Sequence, residues 1–257
     1  MTTRGPRGPG LVIGHRGAPS RLPENTLASF RLACRLGADA LETDLQVTRD
    51  GVLVLHHDLE LRDGRHVDEV TLAELQRLDP PATRIPTFDE LLLLLAAESR
   101  RAGRRIGLHA EVKHPAHFAA AGLPMARPVL ETLRDHGLDQ PGSGVWLQSF
   151  DEDFLREIRP QTELPLVQLV EPHWPVSCSS IAGYAQAIGP HRSRVLASDR
   201  FDTGLVSRAH DAGLRVFVWT LRGGEAQARR FLDAGVDGVF ADDPAVALAA
   251  RRVVASA

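Results

Sequence analysis

The sequence predicts a closed (β/α)₈ barrel, and three features of the chain support this fold class. Short runs rich in Val, Ile and Leu alternate with amphipathic stretches of helical length, a pattern typical of repeated βα units around a parallel sheet. Eight such apolar runs occur, and this number favours a closed barrel over an open sheet. Several of the helical stretches end in glycine, the residue that most often terminates helices.

The predicted elements follow one another in order along the chain. The eight strands are Leu11 to His15, Ala40 to Gln46, Ile106 to Lys113, Val145 to Phe150, Pro165 to Val170, Val195 to Asp199, Val216 to Thr220 and Gly238 to Asp242. The helices are predicted at Thr26 to Leu36, Phe88 to Arg100, Pro128 to His136, Asp153 to Ile158, Gly204 to Ala212 and Glu225 to Asp233. The connection after Val170 is the least regular, because Glu171 to Ser180 contains two prolines and little periodicity.

One insertion interrupts this alternation after the second strand. Val47 to His57 predicts a turn at Arg49-Asp50-Gly51 followed by a second extended run. Asp58 to Pro86 is then predicted to form a polar loop with a short helix at the mouth of the pocket. Since no linker or charge block divides the chain, we expect residues 1–257 to form a single domain with this insertion.

Composition and charge exclude several classes of partner. The formal net charge of −3 and the pI near 6.4 provide no broad positive field for nucleic acid or anionic lipid. The longest aliphatic run, Leu91 to Ala97, is too short to span a bilayer, and Met1 to Gly10 lacks the apolar stretch of a signal peptide. We therefore expect a cytoplasmic protein that binds neither nucleic acid nor membranes stably; its oligomeric state is left open.

Polar side chains occur on two predicted strands where a barrel would normally bury apolar ones. Glu42 and Asp44 lie two residues apart on the second strand, and Glu111 and Lys113 are likewise paired on the third. Because strand side chains alternate between faces, each pair projects from one side, and a covered parallel strand offers no solvated face. Lys113 is also the only lysine in a chain that otherwise uses arginine. Three carboxylates and one amine are therefore expected to converge inside the barrel mouth.

Carboxylates in this arrangement predict a bound cation. Two of them about 4 Å apart would repel by roughly 4 kcal/mol at an effective dielectric constant of 20. A divalent ion between them removes this repulsion, and ligation by oxygen alone favours Mg²⁺ or Ca²⁺ over zinc. A metal-free cluster of salt bridges is the alternative interpretation.

Histidines near the same barrel mouth indicate proton transfer. His15 ends the first strand, and His56 and His57 end the extended run of the insertion, directly before Asp58. Two imidazoles beside a cation suit phosphodiester cleavage, because one takes a proton from the attacking hydroxyl and the other gives one to the leaving alkoxide. Each proton transfer accelerates the reaction by roughly 10²–10⁴-fold. The alternation of strand side chains does not by itself choose between His56 and His57.

The motifs resemble those of the glycerophosphodiester phosphodiesterase family, within the phosphatidylinositol-phospholipase-C-like TIM barrels, over nearly the whole chain. Three blocks of sequence carry the resemblance: Gly14-His15-Arg16-Gly17 with Pro23-Glu24-Asn25-Thr26, the run from Gly37 through Gly51 to His57-Asp58, and Glu111-Val112-Lys113. Weaker similarity continues in three further segments, Gln148 to Asp151, Val218 to Thr220 and Gly235 to Pro244.

This resemblance implies hydrolysis of a glycerophosphodiester to glycerol 3-phosphate and an alcohol. It implies one divalent cation held by Glu42, Asp44 and Glu111, with His15 and His57 as the acid/base pair. It places Arg16 and Lys113 on the phosphate. Gln148 is expected to line the pocket, and Trp219 is either a wall against the glycerol or part of the barrel filling. The family mechanism implies attack by the neighbouring glycerol hydroxyl, followed by opening of a cyclic phosphodiester by water.

Two departures from the family pattern concern the choice of substrate. Leu59 to Gly64 replaces a Thr-Leu-x-Arg-Thr stretch, and Arg222 stands where an Asn is common. A lysophospholipase D or a sphingomyelinase-D-like enzyme is one alternative, although no aromatic residues cluster in the insertion as membrane docking would require. A phospho-ligand binding protein without catalysis is the other.

Overall fold

The structure is a computed structural model that describes residues 9–78, 80, 83–198 and 201–254. Asp199 and most of the segment Met1 to Gly10 lie outside these residues. Eleven strands, β1 to β11, occur within them: Leu11–Gly14, Ala40–Val47, Leu53–Leu55, Gly107–Val112, Val145–Ser149, Leu166–Val170, Ala187–Pro190, Leu196–Ser198, Phe201–Asp202, Arg215–Leu221 and Gly238–Ala241. The helices of the same residues, α1 to α10, are Leu27–Leu36, Leu72–Leu78, Phe88–Ala102, Pro115–Ala120, Ala126–Asp135, Glu152–Ile158, Cys178–Ile181, Leu205–Asp211, Glu225–Asp233 and Pro244–Val254.

Eight parallel strands close into a barrel, which confirms the predicted fold class. Their order around the barrel is β1, β2, β4, β5, β6, β7, β10 and β11, and β1 pairs with both β11 and β2 to complete the circle. Strand residues such as Ile13, Phe217 and Phe240 fill the interior, and a larger apolar cluster lies between the strands and the surrounding helices. The carboxyl ends of all eight strands therefore meet at one mouth.

The prediction was wrong about the sixth barrel strand. That strand is β7, Ala187–Pro190, which pairs with β6 and β10. The predicted run Val195 to Asp199 instead contains β8, which pairs antiparallel with β9 outside the barrel. Sequence reasoning missed β7 because its Ala-Ile-Gly-Pro sequence has little β propensity. Packing selects the glycine, since a Cβ on Gly189 would lie 2.5 Å from a methyl group of Leu169.

The predicted helices are present, and their ends lie within about two residues of the predicted ends. Capping residues explain where several of them begin or end. For example, the Thr26 side chain caps α1, and Gly37 ends it in a left-handed conformation with φ of 101°. Three helices were not predicted: α4, α7 and α10. Among the described residues, no helix is long and apolar enough to cross a membrane.

The insertion is anchored directly to the barrel mouth. Its predicted extended run forms β3, and the predicted polar segment contains the short helix α2. The structure adds that β3 pairs antiparallel with the end of β2. The Gln46 side chain then donates hydrogen bonds to the backbone carbonyls of His56 at 2.9 Å and Asp58 at 2.7 Å. These two bonds hold the segment containing His57 beside the end of β2.

Candidate active site

A cavity of about 770 Å³ opens at the carboxyl ends of the barrel strands. Eight of the nine site residues that the sequence predicts line it: His15, Arg16, Glu42, His57, Glu111, Lys113, Gln148 and Trp219. The ninth, Asp44, is fully buried directly behind the wall of the cavity. The structure thus brings all nine side chains to one end of the barrel.

Three buried carboxylates form a compact cluster at the base of this cavity. One oxygen each of Glu42, Asp44 and Glu111 lies within 4.8 Å of the other two. The strand register causes this convergence, because Asp44 of β2 pairs with Glu111 of β4 and Glu42 precedes Asp44 by one alternation on the same face.

Two positively charged side chains neutralise part of the negative charge of this cluster. Arg16 Nε lies 3.0 Å from Asp44 Oδ2, and Lys113 Nζ lies 3.0 Å from Glu111 Oε1 and 3.9 Å from Asp44 Oδ1. The Arg16 guanidinium also donates to both oxygens of Glu24, at 3.0 and 3.1 Å. Arg16 therefore lies between two carboxylates as well as on the cavity wall.

Among the three carboxylates, Glu42 has its negative charge least compensated by positively charged side chains. It accepts a hydrogen bond of 2.9 Å from the backbone N–H of Arg16 and a long contact of 3.4 Å from the Gln148 amide. Burial, together with the neighbouring charges of Asp44 and Glu111, raises the pKa of Glu42 well above its ordinary value. Burial likewise raises the pKa of Glu111 to about 7, although Lys113 opposes the shift.

The donor set fits a divalent cation with a preference for oxygen. The three carboxylates supply closely spaced oxygens whose mutual repulsion a cation would remove. One carboxylate oxygen, Asp44 Oδ1, and the neighbouring amide oxygen, Gln148 Oε1, are buried without a hydrogen-bond partner among the residues that the structure describes. An all-oxygen set of this kind suits Mg²⁺ or Ca²⁺.

Both predicted histidines on the cavity wall carry a carboxylate partner. His15 Nδ1 lies 2.7 Å from Asp242 Oδ1, and the other oxygen of Asp242 accepts a hydrogen bond of 3.1 Å from Arg222. His57 Nδ1 lies 2.6 Å from Asp58 Oδ1. A carboxylate on one ring nitrogen orients the imidazole and leaves the other nitrogen available for proton transfer.

The main cavity distinguishes His57 from its neighbour His56. Both histidines line an open groove beside the insertion, but His57 also lines the main cavity, whereas His56 lines a smaller groove. Burial lowers the pKa of His57, so its imidazole is favoured in the neutral form.

Aromatic side chains form another part of the cavity wall. The Trp219 indole donates a hydrogen bond of 2.7 Å to the Gly189 carbonyl, and its ring meets Phe150 edge-on at 5.5 Å. Phe150 also contacts Trp174 at 6.1 Å, and Trp174 is 45% exposed at the rim. Of the two interpretations of Trp219, the position on the cavity surface favours a wall over barrel filling.

Sequence reasoning did not assign roles to Asn25 and Asp242. Asn25 is buried, donates a hydrogen bond of 2.8 Å to Asp44 Oδ2, and has a φ of 52°. Its position in a loop gave no periodic signal, although Asn tolerates this left-handed conformation better than most residues. Asp242 directly follows β11, so the rule that chemistry lies at the ends of barrel strands would have identified it.

The profile of the glycerophosphoryl diester phosphodiesterase family matches residues 15–246 of the chain. The chain belongs to this family. A glycerophosphodiester phosphodiesterase of Bacillus subtilis is 30% identical over 91% of this chain and 84% of its own length. A phosphodiesterase of Oleispira antarctica, solved in complex with the product sn-glycerol-3-phosphate, superimposes with a TM-score of 0.78 at 26% identity over 94% of this chain and 96% of its own.

A third similarity extends over almost the whole fold. A Silicibacter pomeroyi protein assigned to the glycerophosphoryl diester phosphodiesterases has a TM-score of 0.81 at 29% identity, covering 97% of this chain and 96% of that one. Membership of the family makes the chain a phosphoric diester hydrolase.

Replacement of Glu42 by Gln tests the electrostatic crowding of the cluster. In chelator at mildly alkaline pH, we expect this variant to melt above the parent, by roughly 2–4 °C for a gain of about 1 kcal/mol. The sign follows because a carboxyl group with a raised pKa in the folded state loses stabilising free energy as pH rises through that pKa. Added millimolar Mg²⁺ or Ca²⁺ should stabilise the parent more than the variant.

Glu98→Gln is the matched control for this experiment. Glu98 is also buried, but its carboxylate is paired with Arg101 at 2.6 Å and Arg31 at 3.7 Å. Its substitution should lower the melting temperature with or without divalent ions. If the Glu42→Gln protein melted below the parent in chelator, this would contradict the claim that repulsion among the three carboxylates destabilises the protein without a bound ion.

Proposed function

We propose that this chain hydrolyses glycerophosphodiesters to glycerol 3-phosphate and an alcohol, using one divalent cation and two histidines. The observation that carries the proposal is that His15 and His57, each paired with a carboxylate, line the same cavity as the acidic cluster. The similarity to a phosphodiesterase solved with sn-glycerol-3-phosphate supports the choice of substrate class.

Glu42, Asp44 and Glu111 are the proposed ligands of the cation, which is Mg²⁺ or Ca²⁺. When bound, such an ion supplies positive charge that stabilises the negative charge developing on the phosphate oxygens. The surrounding residues prepare the three ligands. Asn25 holds Asp44 by a hydrogen bond of 2.8 Å, and the backbone N–H of Arg16 holds Glu42 at 2.9 Å.

The two histidines are proposed to transfer protons on opposite sides of the phosphorus atom. One imidazole accepts the proton of the glycerol hydroxyl as its oxygen bonds to phosphorus. The other donates a proton to the alcohol oxygen as the bond from phosphorus to that oxygen breaks. Water then opens the cyclic phosphodiester with the proton transfers reversed. In each case the carboxylate partner, Asp242 or Asp58, fixes the ring and stabilises the imidazolium form.

The remaining predicted side chains are proposed to bind the substrate. Lys113, which lines the cavity beside Glu111, supplies a compact positive charge to the phosphate. Arg16 contributes a second positive charge and keeps Asp44 ionised. Gln148 lines the cavity beside Glu42, and Trp219 forms a rigid wall because its indole is fixed by a hydrogen bond to the backbone.

The release of glycerol 3-phosphate from glycerophosphocholine tests this proposal. We expect turnover in millimolar Mg²⁺ or Ca²⁺, loss of turnover in chelator, and recovery when the divalent ion is restored, because the acidic cluster requires a cation. Lysophosphatidylcholine serves as a parallel substrate. Turnover of the lysolipid alone would favour the lysophospholipase D alternative, whereas no turnover of any diester would favour a non-catalytic binding protein.

Alanine substitutions at the histidines test the acid/base assignment. His15→Ala and His57→Ala should each lower kcat by about 10²–10⁴-fold, the usual contribution of a positioned acid or base. The fold and the affinity for the divalent ion should change little, as circular dichroism and ion titration would show.

His56→Ala is the control, because His56 adjoins His57 in sequence but does not line the main cavity. It should retain kcat within a few-fold of the parent. Loss of turnover in His56→Ala together with normal turnover in His57→Ala would reverse the assignment.

A further inference from the structure

A second group of metal-ligating side chains lies outside the acidic cluster. His66 and Asp68 come from the insertion, and His117 comes from α4. One ligand atom of each lies within 4.8 Å of the other two. His117 is 49 residues from Asp68 in sequence, so only the docking of the insertion against α4 brings it to the other two.

Hydrogen bonding within this group does not account for all of its polar atoms. His117 Nε2 lies 3.1 Å from Asp68 Oδ2, which forms an ordinary histidine–carboxylate pair. The second oxygen, Asp68 Oδ1, is buried and has no hydrogen-bond partner within the described part of the chain. The His66 ring approaches that of His117 edge-on, with 5.7 Å between centroids. A buried oxygen without a partner beside two imidazoles is available as a ligand for a cation.

Local structure holds these three side chains in place. His66 precedes a 3₁₀ turn, Val67–Glu69, and its backbone N–H donates a hydrogen bond of 2.7 Å to the Glu69 carboxylate. Val67 is fully buried and anchors the turn. On the other side, the His117 ring packs edge-on against the buried Phe118 at 5.3 Å. The ligands therefore lie on ordered backbone, which a binding site requires.

We propose that His66, Asp68 and His117 bind a transition-metal ion of the Zn²⁺ class. Two imidazole nitrogens and one carboxylate oxygen suit Zn²⁺ and related ions, whereas Mg²⁺ and Ca²⁺ prefer oxygen alone. Ligand atoms around a tetrahedral zinc ion are about 3.4 Å apart when the bonds are about 2.1 Å. Small side-chain rotations bring the present atoms, all within 4.8 Å of each other, to that spacing. Water completes the coordination.

The position of the site gives it a structural role. His66 lines an open groove of about 760 Å³ that also contains His114 and Lys113, so an ion can enter from solvent. His117 lines the main cavity from the other side. An ion held here ties the insertion to α4, the helix that begins two residues after Lys113. This inference does not depend on the phosphodiesterase reaction.

Equilibrium dialysis against Zn²⁺ in a large excess of Mg²⁺ tests the site, because Mg²⁺ competes for the all-oxygen cluster. The parent protein should bind one Zn²⁺ tightly. His66→Ala and His117→Ala should each weaken binding by at least about 100-fold, since loss of an outer partner alone typically costs 10–100-fold. Zn²⁺ should also raise the melting temperature of the parent and not that of the variants.

The matched control is His136→Ala. His136 forms a comparable pair with Asp89, at 2.8 Å, but belongs to no three-residue group of potential ligands in the described residues. This variant should bind Zn²⁺ like the parent. Unchanged Zn²⁺ affinity in both His66→Ala and His117→Ala, or absence of Zn²⁺ binding by the parent, would overturn the proposal.

X-ray absorption at the zinc edge gives a second test on the unmodified protein, so the result does not depend on whether a variant folds. The protein is loaded with less than one equivalent of Zn²⁺, which fills the tightest site first. Scattering from two imidazole ligands is expected. A coordination shell of oxygen alone would place the ion in the acidic cluster and overturn the proposal.

Discussion

The mutual repulsion of three buried carboxylates is the constraint around which the barrel mouth is arranged. Glu42, Asp44 and Glu111 cannot separate, because adjacent paired strands fix their backbone positions. Arg16, which follows β1, and Lys113, which follows β4, compensate part of this charge, but burial and the neighbouring carboxylates still raise the pKa of Glu42. Burial strengthens each of these interactions by lowering the local dielectric constant.

The order of strands around the barrel explains how the other groups reach this cluster. From β11 through β1, β2 and β4 to β5, adjacent strands present one or two of the groups each. They supply, in that order, Asp242, His15, the pair Glu42 and Asp44, Glu111 with Lys113, and finally Gln148. The chemistry is thus concentrated on one side of the mouth. The aromatic wall formed by Phe150, Trp174 and Trp219 begins at the end of β5 and extends past the end of β6 to β10.

The insertion completes this arrangement from above the end of β2. Gln46 fixes the backbone around His57, so the second imidazole is presented by a loop that a barrel strand holds. The same insertion carries His66 and Asp68 towards α4. The proposed catalytic histidine, His57, and the proposed metal site therefore depend on the same insertion, and rigidity of the insertion contributes to both.

Most of the fold could be predicted from patterns that repeat along the chain. The features that sequence analysis missed depend on tertiary contacts. The length and alternation of β2 made this strand predictable from sequence. Strand β7 has only four residues, Ala-Ile-Gly-Pro, and it is a strand because neighbouring strands pair with it and bury it. In the site, the clustering of Glu42 and Asp44 could be predicted, because the alternation of side chains along a strand is a local property of the sequence. The role of Asn25 could not be predicted, since its contact with Asp44 requires a left-handed loop conformation. The grouping of His66 with His117 likewise arises only from packing.

The most direct measurement of the central claim is an anomalous diffraction map from crystals soaked with Mn²⁺ and glycerol 3-phosphate, since Mn²⁺ shares the preference of Mg²⁺ for oxygen ligands. We expect one Mn²⁺ peak bonded to Glu42, Asp44 and Glu111, with the phosphate between His15 and His57. A peak that does not contact all three carboxylates, or a phosphate bound away from the two imidazoles, would contradict the account.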